Sequence, residues 1–584
     1  MIDRVTLQAM ARLSPKMALY HVKRLLRNTL SARYPAAYAR HIARISAQVP
    51  AALAPGAGDQ AMAQAVARYY DELYAPKAAA AAQGRFTFLA QEVDFGAAGA
   101  VDWHHKVPAE RDFHLWRQKL AHMGFICPML IRGDATQIAA VSDLIHGFRA
   151  QADFGRAECY SSVWFPYSAS HRILAILSGY LIARASRDLP GALQSQIEDF
   201  LRWNVAFVLA NIEHELKNNH VERNLVALCF YFTHAQTVPR AIARSLDRDV
   251  AAVIRDTILP DGLSVERSAM YQGLSVMALQ VFAQTPFLSA GTRALAHDRL
   301  QLAQRAWRFM THPDGEIALF NDSWFDEVPR PADTLSAAHF EGCELLPNAG
   351  YGRLQGEDLF ALFDAGPIGP AWNPGHGHAD FLSVEVDVAG QRFIVDPGTY
   401  QYSTGSRRMY DRAAASHNGP VVIGVEPVSY KGAFRVGTLA EARLRAEETA
   451  CRTLTGEFDF GAGVLFRRIR LARGVLHVRD RWPAGPGRGQ VRILVPDDWM
   501  LASRADHEIV FLRNGVAARL GVTSGRIDKV HTAQWSCRYL EDLTAHAIDL
   551  APSGSSVLEW NVSRAGRQGN RIWLSALGSV LSSH

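Results

Sequence analysis

The chain has 584 residues, of which 48% are hydrophobic, 10% aromatic and 20% charged, a composition that excludes a disordered, collagen-like or coiled-coil protein. Lys and Arg number 62 against 57 Asp and Glu, a net charge of +5, too slight an excess to mark a nucleic-acid-binding domain. The six cysteines (Cys127, Cys159, Cys229, Cys343, Cys451 and Cys537) form no CxxC pair, so neither a zinc ribbon nor a disulfide framework is expected.

Residues 1–33 carry seven Lys/Arg against one acid, Asp3, in an interrupted amphipathic stretch. A membrane-surface or partner-docking helix and a solvated helix face both fit this pattern. No secretory h-region or cleavage site is visible there, and no apolar run is long enough to span a bilayer. The expected location is therefore cytoplasmic, with the periplasm as the alternative.

Up to about residue 330 the chain is rich in Ala, Leu and Arg with helical periodicity. In SQIEDFLRWNVAFVLANIEHELK, residues Ile197, Leu201, Val205, Val208 and Ile212 recur every three or four positions, as one buried helix face requires. Further helices are predicted over VERNLVALCFYFTHA, 242–257 and 291–310, separated by breakers such as LPDG and THPDGE. No fixed-period repeat is present, so a solenoid is not indicated.

After about residue 345 the period changes to two. Leu382, Val384, Val386 and Val388 alternate with Ser383, Glu385 and Asp387, and Ala389-Gly390 turns the chain into Arg392–Val395. This predicts a half-buried hairpin. Short strands are predicted over 465–471, 475–482, 491–495 and 508–513, a spacing that suits a β-sandwich. The expected architecture is a helical domain followed by an all-β domain.

Three polar clusters interrupt these patterns. Lys217-Asn218-Asn219-His220 stands at a helix-to-helix junction, where Asn residues also serve as caps. His214 and His220 are six apart, not the four a zinc-protease helix needs. Glu266-Arg267-Ser268-Ala269-Met270-Tyr271 opens a helix, and a tyrosine there is usually a packing residue. The third cluster runs from His376-Gly377-His378-Ala379-Asp380 through Asp396-Pro397-Gly398-Thr399-Tyr400 to Ser416-His417-Asn418. Its His and Asp side chains suit zinc, or are polar residues at a sandwich rim.

In that order these segments, with VDWHHKVP (101–108) and VWFPYSASHR (163–172), resemble the heparinase II/III-like polysaccharide lyases, a family that includes oligoalginate and heparin or heparan sulfate lyases. The resemblance runs from about residue 85 to the end. It implies an α + β multidomain protein: an N-terminal helical segment (1–84), an incomplete α/α toroid (85–340), and an antiparallel β-sandwich domain (341–584). It implies β-elimination on an acidic polysaccharide or oligosaccharide, with Asn219 neutralising a uronate carboxylate, His220 beside it, and Tyr271 and His376 as base and acid in unassigned order. Tyr400 or Tyr402 could supply one of those roles. His378, Asp396 and His417 become the ligands of a structural zinc. Arg408 and Arg412 become candidates to grip acidic groups, and Trp164, Tyr167, Arg172 and Tyr400 candidates for sugar contacts.

Two other readings are a glycoside hydrolase on a similar helical toroid and a non-catalytic exopolysaccharide-binding or assembly protein. Hydrolysis needs two positioned carboxylic acids. Asp261, Glu266 and Asp322 are available, but no paired motif singles them out.

Overall fold

The computed structural model describes residues 3–50, 60–335, 340, 342–448, 452–483, 488–553 and 556–566. Three helices, Arg4–Ala11, Pro15–Arg33 and Pro35–Ser46, precede a helical body that runs from Gln60–Tyr74 to Ala290–Phe309. At its centre lies Pro166–Ser186, buried along nearly its whole length. It is covered by Gln60–Tyr74, Leu115–His122, Ile126–Arg132, Gly191–Ala210 and Asn219–His234. Helices predicted over 242–257 and 291–310 occur as Arg240–Thr257 and Ala290–Phe309.

The helix holding Ile197, Leu201, Val205 and Val208 is Gly191–Ala210, and those four residues are buried. It stops before Ile212, short of the predicted span. Asn211 turns its amide back onto the Phe207 carbonyl at 2.6 Å, and Lys217 takes a left-handed φ of 48°. The chain thus leaves the helix at Asn211 and re-enters one at Asn219.

The β region is antiparallel throughout its strand pairs. Gly342–Leu346, Tyr351–Gln355, Leu359–Asp364, Val384–Val388 and Gln391–Ile394 form a five-stranded meander. An eight-stranded sheet and a four-stranded sheet follow. The predicted strands appear as Val464–Ala472, Val475–Arg481, Gly489–Pro496 and Glu508–Arg513. Along Val464–Ala472 burial alternates, with Leu465, Ile469 and Leu471 inward, as a strand with one solvated face requires.

The hairpin strand Val384–Val388 differs from expectation: all five residues are buried. Its polar face, Glu385 and Asp387, meets His312 of the segment after the last long helix, at 2.5 Å and 2.7 Å. The larger apolar core likewise continues from the helices into Tyr351, Phe360, Leu494 and Tyr539. The two regions are therefore packed face to face, and a cleft opens along their junction.

Candidate active site

The cleft has a volume of about 270 Å³ and is lined by residues of both regions. Phe113, Phe165, Tyr167, Trp324, Tyr402 and Phe434 give it aromatic walls, the surface on which pyranose rings stack. Asn219, His220, Tyr271 and His376, far apart in sequence, all reach it.

Two helix N-termini deliver the helical contribution. Asn218 caps Asn219–His234 by accepting from His220 N at 3.1 Å. Ser268 caps Ala269–Gln284 by accepting from Tyr271 N at 3.3 Å. The Asn219 amide Nδ2 donates to Glu266 Oε1 and Oε2 at 3.0 and 2.8 Å, while its Oδ1 has no partner. His220 Nδ1 lies 3.1 Å from Glu213 Oε1, and its ring packs 4.6 Å from that of Tyr167. The Tyr271 hydroxyl is 2.9 Å from the Tyr402 hydroxyl. Burial, reinforced by Tyr167, Asp322 and Glu266, pushes the Tyr271 hydroxyl well above its ordinary pKa.

His376 enters from the sandwich side, with its ring centroid 4.5 Å from that of Tyr271. Its Nδ1 is 2.9 Å from Asp322 Oδ2, and its Nε2 is 3.6 Å from Glu266 Oε1. Asp322 is the hub of the site: Arg408 Nη2 donates to its Oδ2 at 2.8 Å, and His378 Nε2 lies 2.9 Å from its Oδ1. Burial alone would raise the Asp322 pKa, yet Arg408 and the hydrogen bonds from the two histidines hold it well below the carboxylate range. An ionised Asp322 accepts the Nδ1 proton of His376 and turns its Nε2 away from Asp322, toward the cleft. Sequence reasoning offered Asp322 only as a hydrolase carboxylate and did not name Glu327, the acid that lines the cleft.

The remaining predicted contacts divide. Tyr167 lines the cleft. Trp164 is fully buried and stacks on Phe154 at 4.5 Å. Arg172 is fully buried too, its guanidinium donating to Asn204 Oδ1 and to the Ala121 and Val163 carbonyls. Both belong to the helical core and not to the cleft lining. Arg408 lies behind His376, paired with Asp322. Arg412 donates to the Gly375, Gly377 and Ala433 carbonyls, fixing the loop that carries His376. Tyr400 stands outside the lining, with Arg407 over its ring at 4.7 Å, and Tyr402 takes the position in the wall.

His378 and His417 lie side by side, ring centroids 5.6 Å apart. Each is backed by a carboxylate: His378 Nε2 by Asp322, and His417 Nδ1 by Asp396 Oδ2 at 2.8 Å. The opposite nitrogens, His378 Nδ1 and His417 Nε2, are buried and unpartnered. Burial lowers the His378 pKa to about 3, whereas at His417 burial is outweighed by Asp396, which raises the pKa to about 9, so an ion bound here would displace a proton from His417. Two carboxylate-backed imidazoles with open nitrogens fit a zinc ion. Asp396 gives its other oxygen to Gly398 N at 3.0 Å. Among the described residues no group of three ligating side chains is gathered on one point.

A helical domain that shares an aromatic cleft with an antiparallel sandwich is the fold of known polysaccharide lyases. Residues 341–509 match the family model of the heparinase II/III-like C-terminal domain. Among solved structures, heparinase III aligns at a TM-score of 0.63 with 14% identity, covering 87% of this chain and 85% of that one. The heparinase III BT4657 gene product gives 0.57 at 14% identity, covering 88% and 85%. The heparan sulfate lyase HepC from Pedobacter heparinus gives 0.54 at 14% identity, covering 85% and 84%. None of the curated proteins compared matches the chain.

Proposed function

We propose that this protein is a polysaccharide or oligosaccharide lyase that cleaves uronate-bearing glycans by β-elimination. The observation that carries this reading is the meeting of Asn219, Tyr271 and Asp322-backed His376 in one aromatic cleft. In the reaction a base removes the proton from uronate C5, the C4–O4 bond breaks, a C4–C5 double bond forms, and O4 leaves with a proton. Asn219 is the group that meets the uronate carboxylate as charge grows in the transition state, its Nδ2 passing from the two Glu266 oxygens to the substrate. His376, with its Nε2 lone pair in the cleft, is the base. Tyr271, held protonated by burial, is the acid that delivers to O4.

The cleft lining contains no Lys or Arg among the described residues and includes the acid Glu327. This favours a glycan whose charge is the uronate carboxylate over a densely sulfated chain. Against hydrolysis, Asp322 is already bonded to Arg408 and two histidines. Asp261 accepts from the Asn348 and Ala349 amides at 2.7 and 2.9 Å and does not line the cleft. The test is a substrate panel of alginate, hyaluronan, unsulfated and sulfated heparan chains and bacterial exopolysaccharides, with product mass analysis. Unsaturated products absorbing in the near ultraviolet are expected. A saturated, hydrated new end would establish a hydrolase, and binding without turnover a non-catalytic role.

The same reading includes a zinc ion held by His378 and His417, with Asp396 orienting His417. Such an ion would fix the two loops behind His376. Metal analysis of the purified protein should find about one zinc per chain. A value below about 0.2 that zinc addition does not raise would remove the ion from the proposal.

A further inference from the structure

The helix Pro15–Arg33 is turned inside out relative to an ordinary surface helix, which hides its apolar stripe and wets its polar one. Its inward face buries Met17 and Ser31 and is otherwise held by polar contacts. Arg24 pairs with Glu215 at 3.1 Å, Arg27 donates to Asn211 Oδ1 at 2.6 Å, and Ser31 accepts from the Tyr160 hydroxyl at 2.6 Å. Its outward face carries Leu19, Val22, Leu26 and Leu30, spaced three or four residues apart and 52–56% exposed, with Leu25 beside them at 62%. Eight of the fifteen large apolar side chains most exposed among the described residues fall between Leu7 and Tyr34, so this is one concentrated surface.

Charge identifies what covers it. Residues 4–46 contain nine Lys or Arg and no Asp or Glu. Lys16, Lys23 and Arg33 are exposed on this helix, and Arg40 and Arg44 on the next. A second copy of the same surface would bring cations against cations. An anionic lipid surface complements both features: leucines enter the headgroup boundary while Lys and Arg stems extend to the phosphates. No described helix is long and apolar enough to cross a membrane, so the helix would lie in the interface plane.

We propose that Pro15–Arg33, flanked by its basic neighbours, docks this protein on an anionic phospholipid surface. The proposal is independent of the lyase reading, but the docking element adjoins the cleft. Asn211 and Glu215, which hold its inner face, lie in the turn leading to Asn219. The preceding helix fastens to the sandwich, where Arg12 donates to the Gly437 carbonyl at 2.8 Å, three residues from Phe434 in the cleft wall.

The experiment is cosedimentation of the full chain with vesicles of phosphatidylglycerol and phosphatidylcholine, against vesicles of phosphatidylcholine alone. Binding to the anionic vesicles should be at least about tenfold tighter and should weaken at high salt. The variant Leu19→Ser/Leu26→Ser/Leu30→Ser should lose that binding by about tenfold or more with unchanged thermal melting. Lys16→Glu/Lys23→Glu, which leaves every apolar contact in place, should lose it as well and decides the matter if the first variant folds poorly. Failure of the full chain to sediment with anionic vesicles overturns the proposal, as does equal binding by the charge variant. So does light scattering that finds a dimer which the serine variant dissolves, since a second copy would then cover the stripe.

Discussion

On the proposed lyase reading, the division of proton work between His376 and Tyr271 follows from what surrounds each group. Ionised Asp322 orients the imidazole through Nδ1 and turns Nε2 to the cleft, whereas burial keeps the phenol protonated. Removing either group removes a proton transfer made in the transition state. Tyr271→Phe and His376→Ala should each lower kcat by about 10²- to 10⁴-fold with little change in KM. Initial rates of unsaturated-product formation check this, and full activity in either variant would take that residue out of the mechanism. Asn219, Tyr271 and His376 were legible in the sequence because each stands in a short distinctive segment. Asp322 was not, because its importance comes from Arg408, His376 and His378, which approach it from 54 to 86 positions away. The same remoteness hid that Arg408 and Arg412 brace the site from behind, since a run of arginines looks alike whether it faces solvent or a buried carboxylate.

The helices that present Asn219 and Tyr271 are joined below the cleft by Glu222, which accepts from Ser275 Oγ at 3.2 Å and from Thr257 Oγ1 at 3.4 Å. Full burial raises its pKa to about 7, against the downward pull of Arg223 and Ser275. A carboxyl group whose folded pKa lies above its unfolded value stabilises the fold fully below the unfolded value, near 4.5. It loses that contribution as pH rises through the folded one. Wild-type stability should therefore fall between about pH 4.5 and pH 7 by an amount that Glu222→Gln lacks, on the order of 3 kcal/mol. Thermal melting of both proteins across that range checks the difference, and parallel curves would show that Glu222 does not carry it. Periodicity located Gly191–Ala210 and Arg240–Thr257, which bury one stripe, but gave no span for Ala269–Gln284, which is buried nearly all round. It overran at Gly191–Ala210, where a side-chain hydrogen bond from Asn211 to the Phe207 carbonyl ends the helix although the apolar spacing continues.

For the molecule as a whole, the helical region and the sandwich are held in register by a charge cluster that the alternating strand pattern concealed. Strand 384–388 reads as half exposed, and only the second domain lying over it turns Glu385 and Asp387 into fully buried groups. His312 Nδ1 is hydrogen-bonded to Asp387 and its Nε2 is ion-paired with Glu385, and Arg392 lies 3.6 Å from Glu385 while its Nε donates to Asp314 at 2.7 Å. Burial and Arg392 push the His312 pKa down, but Asp387 and Glu385 outweigh them and raise it. Its contribution is thus fully present below the ordinary histidine value and is lost as pH rises past the raised one. Removing one member of a buried ionic cluster leaves the others uncompensated, at a cost of about 3–5 kcal/mol. His312→Ala should accordingly lower Tm by several degrees. It should also raise KM, because Asn219 and Tyr271 sit on one side of this junction and His376 on the other. His312 does not line the cleft, so a rise in KM together with easier proteolytic cutting between the regions would report a loosened junction. A variant that melts and turns over like the wild type would mean that the apolar contacts of Tyr351, Phe360 and Leu494 hold the two halves together without it.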